Sequence, residues 1–239
     1  MTDEVKRVRR CDLIVLPGHW PFSDANAAAI DTLWRERSAK NPRLFNGTIH
    51  VMTESAVAAG DTFEGRFLRT DFKSYLYWRE SGFPDRSVVD AFGSALIRSA
   101  EGHVVLGRQR DGFVNAGLSY LPGGFIDARD VGADGRIDIE ASIARELKEE
   151  TCLDAATLER VPGFYLTTAG PLVSIAAEYR AALPADDLRR AILSEIAHDP
   201  NAELVDIVVV KAAPDLEGLP MPDYARVLLR NLFSAEKSA

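Results

Sequence analysis

The alternation of apolar and polar positions predicts that the first third of the chain combines short strands with amphipathic helices. A turn pair, Asn46-Gly47, separates Leu44-Phe45 from the alternating run 48–52, and this arrangement predicts a hairpin. The segment 71–80 reads as an aromatic-rich helix. Its rings would stack on a ligand or pack against the following domain, and we favour packing. Further strands are predicted at 12–16 and 62–69, and a helix from Ser23 to about Lys40.

The pattern of apolar and polar positions breaks after the predicted helix 71–80. Gly82 and Pro84 interrupt the chain, and longer apolar runs begin after them. We therefore predict an N-terminal α+β extension over residues 1–86 and a second domain over residues 87–239.

The second block alternates apolar strands with helices. Its last strand, 204–210, is almost wholly apolar, so we predict that it lies centrally in a sheet. The order of elements predicts an α/β fold, an α/β/α sandwich on a mixed sheet. Strands are predicted at 88–98, 103–108, 118–121, 158–168 and 172–182, and helices at 138–152, 184–198 and 222–233.

The predicted helix 138–152 has an unusual distribution of charge. Glu146 and Glu150 lie within the apolar stripe that should face the core, and Glu149 lies at its edge. Carboxylates that point inward are costly unless a cation neutralises them. Arg145 can pair with Glu149, which leaves a need for more positive charge, and Mg²⁺ is the natural candidate. The stripe itself consists of Ile139, Ile143 and Leu147.

This helix and the Pro-Gly-Gly before it resemble the Nudix box, with the consensus G-x5-E-x7-R-E-U-x-E-E-x-G-U. The chain departs from the consensus at three points. Twenty residues separate Gly124 from Arg145, about seven more than in the consensus, and counting back from Arg145 places Ile137 at the first glutamate. Cys152 replaces the late glycine, which normally supplies a left-handed cap. The matching positions are Gly124, Arg145, Glu146, Leu147, Glu149, Glu150 and Leu153.

The resemblance implies hydrolysis of a nucleoside diphosphate linked to another moiety, with Mg²⁺ or Mn²⁺ as the cofactor. It implies that Glu149 and Glu150 bind the metal, and that Glu146 is a further ligand or accepts the proton of the attacking water. Arg145 would orient Glu149.

The resemblance also suggests residues for binding the substrate. Gly123 and Gly124 would form a backbone turn that passes close to the metal and phosphate. Arg108 and Arg110 follow the second core strand and are candidates for phosphate binding.

Other polar residues give weaker signals. Glu178 and Glu203 are each candidates for an extra metal ligand or base. Asp130, Asp134 and Asp138 lie four residues apart in the insertion, and a solvated acidic loop is the favoured interpretation of this spacing. The four histidines are scattered, so we assign them no role.

Composition limits the partners and the compartment. The net charge of −8 and the pI of about 5.1 argue against non-specific binding to nucleic acid. Cys11 and Cys152 are too few for a disulfide framework, which favours a reducing cytoplasmic compartment. The apolar run 13–16 is too short to span a membrane. The sequence leaves a homodimer open.

The substrate and the alternatives remain open at this stage. The segment Asn41–His50, N-P-R-L-F-N-G-T-I-H, together with the long box faintly resembles the Nudix branch that acts on UDP-sugars. A Nudix-fold sensor that binds a nucleotide without cleaving it is the alternative, favoured by Ile137 and Cys152. An isomerase of the isopentenyl diphosphate type is disfavoured, because Cys11 lies outside the core and Cys152 at a helix end.

Overall fold

The computed structural model describes residues 3–236, which form two sheets and six α-helices. The strands are β1 Glu4–Val8, β2 Arg10–His19, β3 Thr48–Ala58, β4 Thr62–Asp71, β5 Asp90–Arg98, β6 Val104–Gln109, β7 Ser119–Tyr120, β8 Gly123–Phe125, β9 Glu159–Ala169, β10 Leu172–Arg180 and β11 Leu204–Val210. The helices are α1 Pro21–Ala25, α2 Ala27–Lys40, α3 Phe72–Glu80, α4 Ile139–Thr151, α5 Ala185–Ile196 and α6 Asp223–Glu236. Among the described residues, none of the helices is long and apolar enough to cross a membrane.

The larger sheet has the strand order β1-β9-β10-β5-β6-β11, and β7 and β8 add to β6 and β5. Strands β5 and β10 are parallel, whereas the other pairs are antiparallel, so the sheet is mixed as predicted. The prediction of a central position for 204–210 is wrong, because β11 ends the order and pairs with β6. An apolar run identifies a strand covered by helices but not its place in the sheet. Here Leu204 and Ile207 are buried while Val205 is half exposed.

Helices cover both faces of the larger sheet and confirm the α/β/α sandwich. On one face, α4 and α5 contribute Ile143, Leu147 and Ile192 to a core with the sheet. On the other face, α6 contributes Tyr224 and Leu228 to a second core. Apolar residues repeat at helical spacing in all three helices, which is why each buries one side.

The smaller sheet has the order β2-β4-β3, with β2 parallel to β4 and β3 antiparallel to β4. The predicted hairpin around Asn46-Gly47 is wrong, because β3 begins only after it and pairs instead with β4. The predicted helix 23–40 is divided at Asn26 into α1 and α2 and ends at Lys40 as expected. Strand β1, although it belongs to the predicted extension 1–86, pairs with β9 in the larger sheet.

The insertion in the box docks on the edge of β2. The Ile137 N–H donates to the Leu13 carbonyl at 3.0 Å, and the Val15 N–H donates to the Gly135 carbonyl at 2.8 Å. These bonds satisfy backbone groups that an open sheet edge would leave unpaired. The insertion therefore ties the box to the N-terminal unit, which we define as residues 10–80.

The aromatic helix α3 packs against the second domain. Phe72 and Tyr75 both meet the Phe125 ring edge to face, with ring centroids 5.8 and 4.7 Å apart. The Tyr75 hydroxyl also donates to Asp90 at 2.7 Å, and Asp90 begins β5. Packing thus explains the aromatic content of this helix, as favoured from the sequence.

Candidate active site

A cavity of about 990 Å³ lies where the N-terminal unit meets the second domain. Helix α4 and strand β8 form one wall, and the segments 41–49 and 72–83 of the N-terminal side form the other. The size is at the upper end of the range found for small-molecule sites.

Local sequence fixes both ends of α4. The Asp138 side chain caps the N-terminus by accepting the Ala141 N–H at 3.0 Å. At the C-terminus, Cys152 adopts the left-handed conformation with φ of 60°, and its N–H donates to the Lys148 carbonyl at 2.9 Å. The loss of the consensus glycine therefore does not remove the cap, although a non-glycine residue is strained there.

The three box carboxylates all line the cavity. Glu150 is buried, and the Tyr120 hydroxyl donates to its Oε1 at 2.7 Å. Its Oε2 is buried and has no hydrogen-bond partner among residues 3–236. Burial raises the pKa of Glu150 well above its ordinary value, opposed by the Tyr120 hydrogen bond. Burial also raises the pKa of Glu146 to about 7, although the charge of Arg145 opposes the shift.

Glu203 lies outside the box and adds a further carboxylate to the cavity lining. Burial and the charge of Glu149 raise the pKa of Glu203. The sequence indicated both Glu203 and Glu178 as candidates for an extra metal ligand or base, but only Glu203 lines the cavity. Glu178 is buried elsewhere, where Arg180 donates to it at 3.0 Å.

Arg145 fixes the carboxylate wall, which we define as the wall of the cavity that α4 and β8 form. Its Nη1 lies 2.5 Å from Glu146 Oε1 and 3.6 Å from Glu149 Oε2, and its Nη2 lies 2.7 Å from Asp130 Oδ1. Arg145 is predicted to orient Glu149, but its hydrogen bond goes to Glu146, and Glu149 lies beyond hydrogen-bond distance. An orienting role toward Glu149 stays a prediction.

The interpretation of Asp130, Asp134 and Asp138 as a solvated acidic loop is wrong for Asp130. It is buried, and besides Arg145 it accepts the Ser142 hydroxyl at 3.1 Å and the Asp127 N–H at 2.9 Å. Counting forward from Gly124, Asp130 occupies the position of the first consensus glutamate, so the extra residues are 131–137. Counting forward as well as back would have found it.

The two glycines form strand β8 rather than the predicted turn. Gly123 and Gly124 pair with Ser94 and Gly93 on β5. The backbone at Gly124 lies close to a candidate metal ligand, because a Cβ there would be 2.5 Å from Glu146 Oε2. Only a bare backbone leaves room for that carboxylate. The approach to a metal and a phosphate stays a prediction.

The residues present fit a hard divalent cation. The donors are carboxylate oxygens, which Mg²⁺ prefers, and one of them is buried without a partner. Within the described chain, no group of three or more acidic, His or Cys side chains is already arranged to hold a metal. Arginines occupy part of the carboxylate cluster instead, since Arg129 Nη1 lies 3.2 Å from Glu149 Oε1 in addition to the Arg145 contacts.

The arginines predicted to bind phosphate lie elsewhere. Neither Arg108 nor Arg110 lines the cavity, and Arg110 donates to the Pro200 carbonyl at 3.1 Å. The cavity is lined by Arg43, Arg79 and Arg129, which the sequence did not indicate.

Comparison with known proteins identifies one domain within the chain. Residues 89–186 match the family model described as NUDIX domain. A Nudix hydrolase from M. smegmatis, RenU, is 18% identical over 62% of this chain and 84% of its own, with a TM-score of 0.39. The MutT protein from Methanosarcina mazei Go1 is 22% identical over 62% and 95%, with a TM-score of 0.39. DR0079 from Deinococcus radiodurans is 15% identical over 77% and 98%, with a TM-score of 0.46. None of the curated proteins matches.

The fold and the site thus define an α/β/α domain that presents a carboxylate-bearing helix to a large cavity. Residues 89–186, which match the family model, are identified as a NUDIX domain within this chain.

Proposed function

We propose that this protein hydrolyses the pyrophosphate bond of a nucleoside diphosphate linked to another moiety, with the help of a divalent metal. One observation carries the proposal. Glu146, Glu149 and Glu150 converge on one cavity, where an oxygen of Glu150 is buried without a partner. A buried carboxylate oxygen without a partner is costly, and a bound cation would offset that cost.

Glu146, Glu149 and Glu150 would hold the metal. When bound, Mg²⁺ or Mn²⁺ neutralises phosphate charge and lowers the pKa of a water that attacks phosphorus.

The chain's own residues would position the reacting groups. Arg145 orients Glu146, and Asp130 fixes Arg145 from behind. Glu146 and Glu203 are the carboxylates best placed to accept a proton from the attacking water. Arg129 reaches the same part of the cavity and would bind a phosphate oxygen once the substrate replaces its contact with Glu149.

The size and lining of the cavity support a nucleotide-sugar as the substrate. The volume of about 990 Å³ far exceeds what a diphosphate needs, and the lining includes aromatic rings on which a base can stack. The segment Asn41–His50, which resembles the UDP-sugar branch, contributes to that lining.

The sensor remains a second candidate because of one observation. In the metal-free arrangement, ion pairs to Arg145 and Arg129 already satisfy much of the charge on Glu146 and Glu149. A protein that binds a nucleotide without hydrolysing it would keep these pairs when ligand is present.

Phosphate release tests the proposal most directly. The protein is coupled to a phosphatase and assayed on UDP-sugars, ADP-ribose, dinucleotides and nucleoside triphosphates, with and without Mg²⁺ or Mn²⁺. We expect metal-dependent cleavage of one class, lost in Glu149→Gln and kept in Lys148→Gln, whose side chain is exposed on the same helix. No turnover on any substrate, with tight nucleotide binding by calorimetry, would favour the sensor.

A further inference from the structure

The N-terminal unit exposes an aromatic ring at the cavity. Phe45 lines the cavity and is 79% exposed, the highest value among the large hydrophobic residues described as exposed. Such exposure is costly in water, and a ligand with an apolar face would remove that cost.

The ring of Phe45 packs against the backbone of Gly47. A Cβ at Gly47 would lie 3.2 Å from Phe45 Cε1, so the ring packs on the side of Gly47 that has no side chain. The ring therefore has a contact at Gly47 and is otherwise largely open to solvent. A ring held in this way stacks on a planar ligand with little loss of conformational entropy.

The chain around Phe45 is held to a loop of the second domain. The Asn41 amide donates to the Gly112 carbonyl at 2.7 Å, and its Oδ1 accepts the Arg43 N–H at 3.1 Å. Arg79 donates to the Val114 carbonyl at 3.2 Å on the same loop. This loop brings Phe113 to the same cavity.

Arg43, two residues before Phe45, brings a positive charge to the same cavity lining. Its side chain makes no hydrogen bond or ion pair within residues 3–236. An unpaired arginine that shares a cavity lining with an exposed aromatic ring suits a ligand that is both planar and anionic.

Resting on the function proposed above, we propose that the segment Asn41–Phe45, together with Phe113, forms the nucleobase subsite, in which Phe45 stacks on the base. The N-terminal unit then selects the substrate, while the box carboxylates act on the diphosphate. The specificity-determining residues are Phe45 and Arg43.

Calorimetry in the presence of Mg²⁺ tests this assignment with probes that cannot be cleaved. The probes are the α,β-methylene diphosphates of uridine, adenosine, guanosine and cytidine, and methylenediphosphonate as the probe without a base. For the wild type, we expect at least one nucleotide to bind about tenfold more tightly than methylenediphosphonate.

Substitutions at Phe45 separate stacking from other effects. We expect Phe45→Ala to weaken the preferred nucleotide about tenfold and leave methylenediphosphonate within about twofold. Phe45→Trp should retain the affinity. Gly47→Ala, which removes no ligand contact but displaces the ring, should cause a smaller loss. Leu183→Ala truncates another exposed apolar side chain, 46% exposed and away from the cavity lining, and should change nothing.

Two outcomes would overturn the assignment. One is that Phe45→Ala leaves all four nucleotides within about twofold of wild type. The other is that it weakens methylenediphosphonate equally, which would show a general effect on the cavity. Failure of the hydrolase proposal gives a different result: absence of turnover on every substrate with the Phe45-dependent nucleotide preference intact. Turnover that is unaffected by Phe45→Ala, with unchanged nucleotide affinity, would refute the subsite alone.

Discussion

The two walls of the cavity differ in how they are built. The carboxylate wall comes from one helix, α4, whose glutamates follow each other at helical spacing and are fixed by Arg145. The N-terminal wall comes from a loop, 41–47, and from α3, and it meets the cavity through packing against a distant loop. Chemistry therefore lies in a local motif, whereas the surface that we assign to recognition depends on contacts between distant parts of the chain.

The difference between the two walls predicts whether a substitution changes the chemical step or substrate binding. On the carboxylate wall, a change should affect the rate of the chemical step, because it removes charge that the transition state needs. On the N-terminal wall, a change should affect binding, because it alters contacts to a part of the substrate that does not react. Substitutions on both walls test this separation.

The largest effect is expected at Glu150. Glu150→Gln should lower kcat roughly 10²- to 10⁴-fold, measured by metal-dependent phosphate release. The same variant should melt at a higher temperature than the wild type in EDTA at pH 7.5, because the raised pKa of Glu150 means that its ionised form destabilises the metal-free fold. Retention of most activity would contradict the site assignment.

Loss of Asp130 should destabilise the carboxylate wall, because Asp130 binds Arg145 without itself lining the cavity. Asp130→Ala leaves the buried Ser142 hydroxyl and the half-buried Arg145 Nη2 without this partner, although Arg145 keeps its contact with Glu146, so we expect a loss of about 3 kcal/mol in unfolding free energy. Urea denaturation measures it. Asp134→Ala, in the same insertion but exposed, serves as the control and should cost little. Equal, small losses for both variants would show that Asp130 does not anchor the box.

The contact between the two walls should depend on pH through Asp90. Burial raises the pKa of Asp90 from 3.8 to about 6, partly opposed by the hydrogen bond from Tyr75. Because the folded-state pKa is the higher one, this contribution to stability is fully present below about pH 4 and is lost as the pH rises through 6, by about 3 kcal/mol in total.

Asp90→Asn provides the measurement. The difference in unfolding free energy between wild type and variant, followed from pH 4.5 to 8, should shift in favour of the variant as pH rises. Glu146, Glu150 and Glu203 are present in both proteins, so their titration cancels in this difference. A difference independent of pH would contradict the prediction.

Release of the loop 111–118 should raise KM while leaving kcat nearly unchanged. Asn41→Ala removes the hydrogen bond to the Gly112 carbonyl, which contributes about 1 kcal/mol, so we expect KM to rise roughly fivefold. Steady-state kinetics on the substrate identified by the panel gives both constants. Asn201→Ala is the control, since Asn201 is exposed and away from the cavity lining. A fall in kcat with constant KM would break the separation between the walls.

The smallest effect is expected where the insertion meets the N-terminal sheet. Arg136 Nη1 lies 2.6 Å from Asp12, but the two side chains are 62% and 44% exposed. Arg136→Ala should therefore change the unfolding free energy by less than about 0.5 kcal/mol, measured in urea. A loss above about 1 kcal/mol would show that this ion pair, rather than the backbone bonds of Gly135 and Ile137, holds the insertion on β2.

The helix α4, which carries the box carboxylates, could be predicted from the sequence alone. The bounds of α4 and the burial of Glu150 follow from a pattern with a period of 3.6 residues, and the cap at Asp138 is a local hydrogen bond. Such features depend on residues within a few positions of each other, so they can be read directly. The α/β/α order of elements could be predicted for the same reason.

Features that depend on contacts between distant residues could be found only in the tertiary structure. Gly123 and Gly124 form a strand because β5 lies beside them, and β11 lies at the end of its sheet although its sequence is apolar. Asp130 reaches Arg145 only because the insertion 131–137 folds away onto β2. Phe45 meets the cavity through packing between units that are separate in the sequence. Residue spacing encodes local geometry, whereas which surfaces meet depends on the free energy of the whole fold.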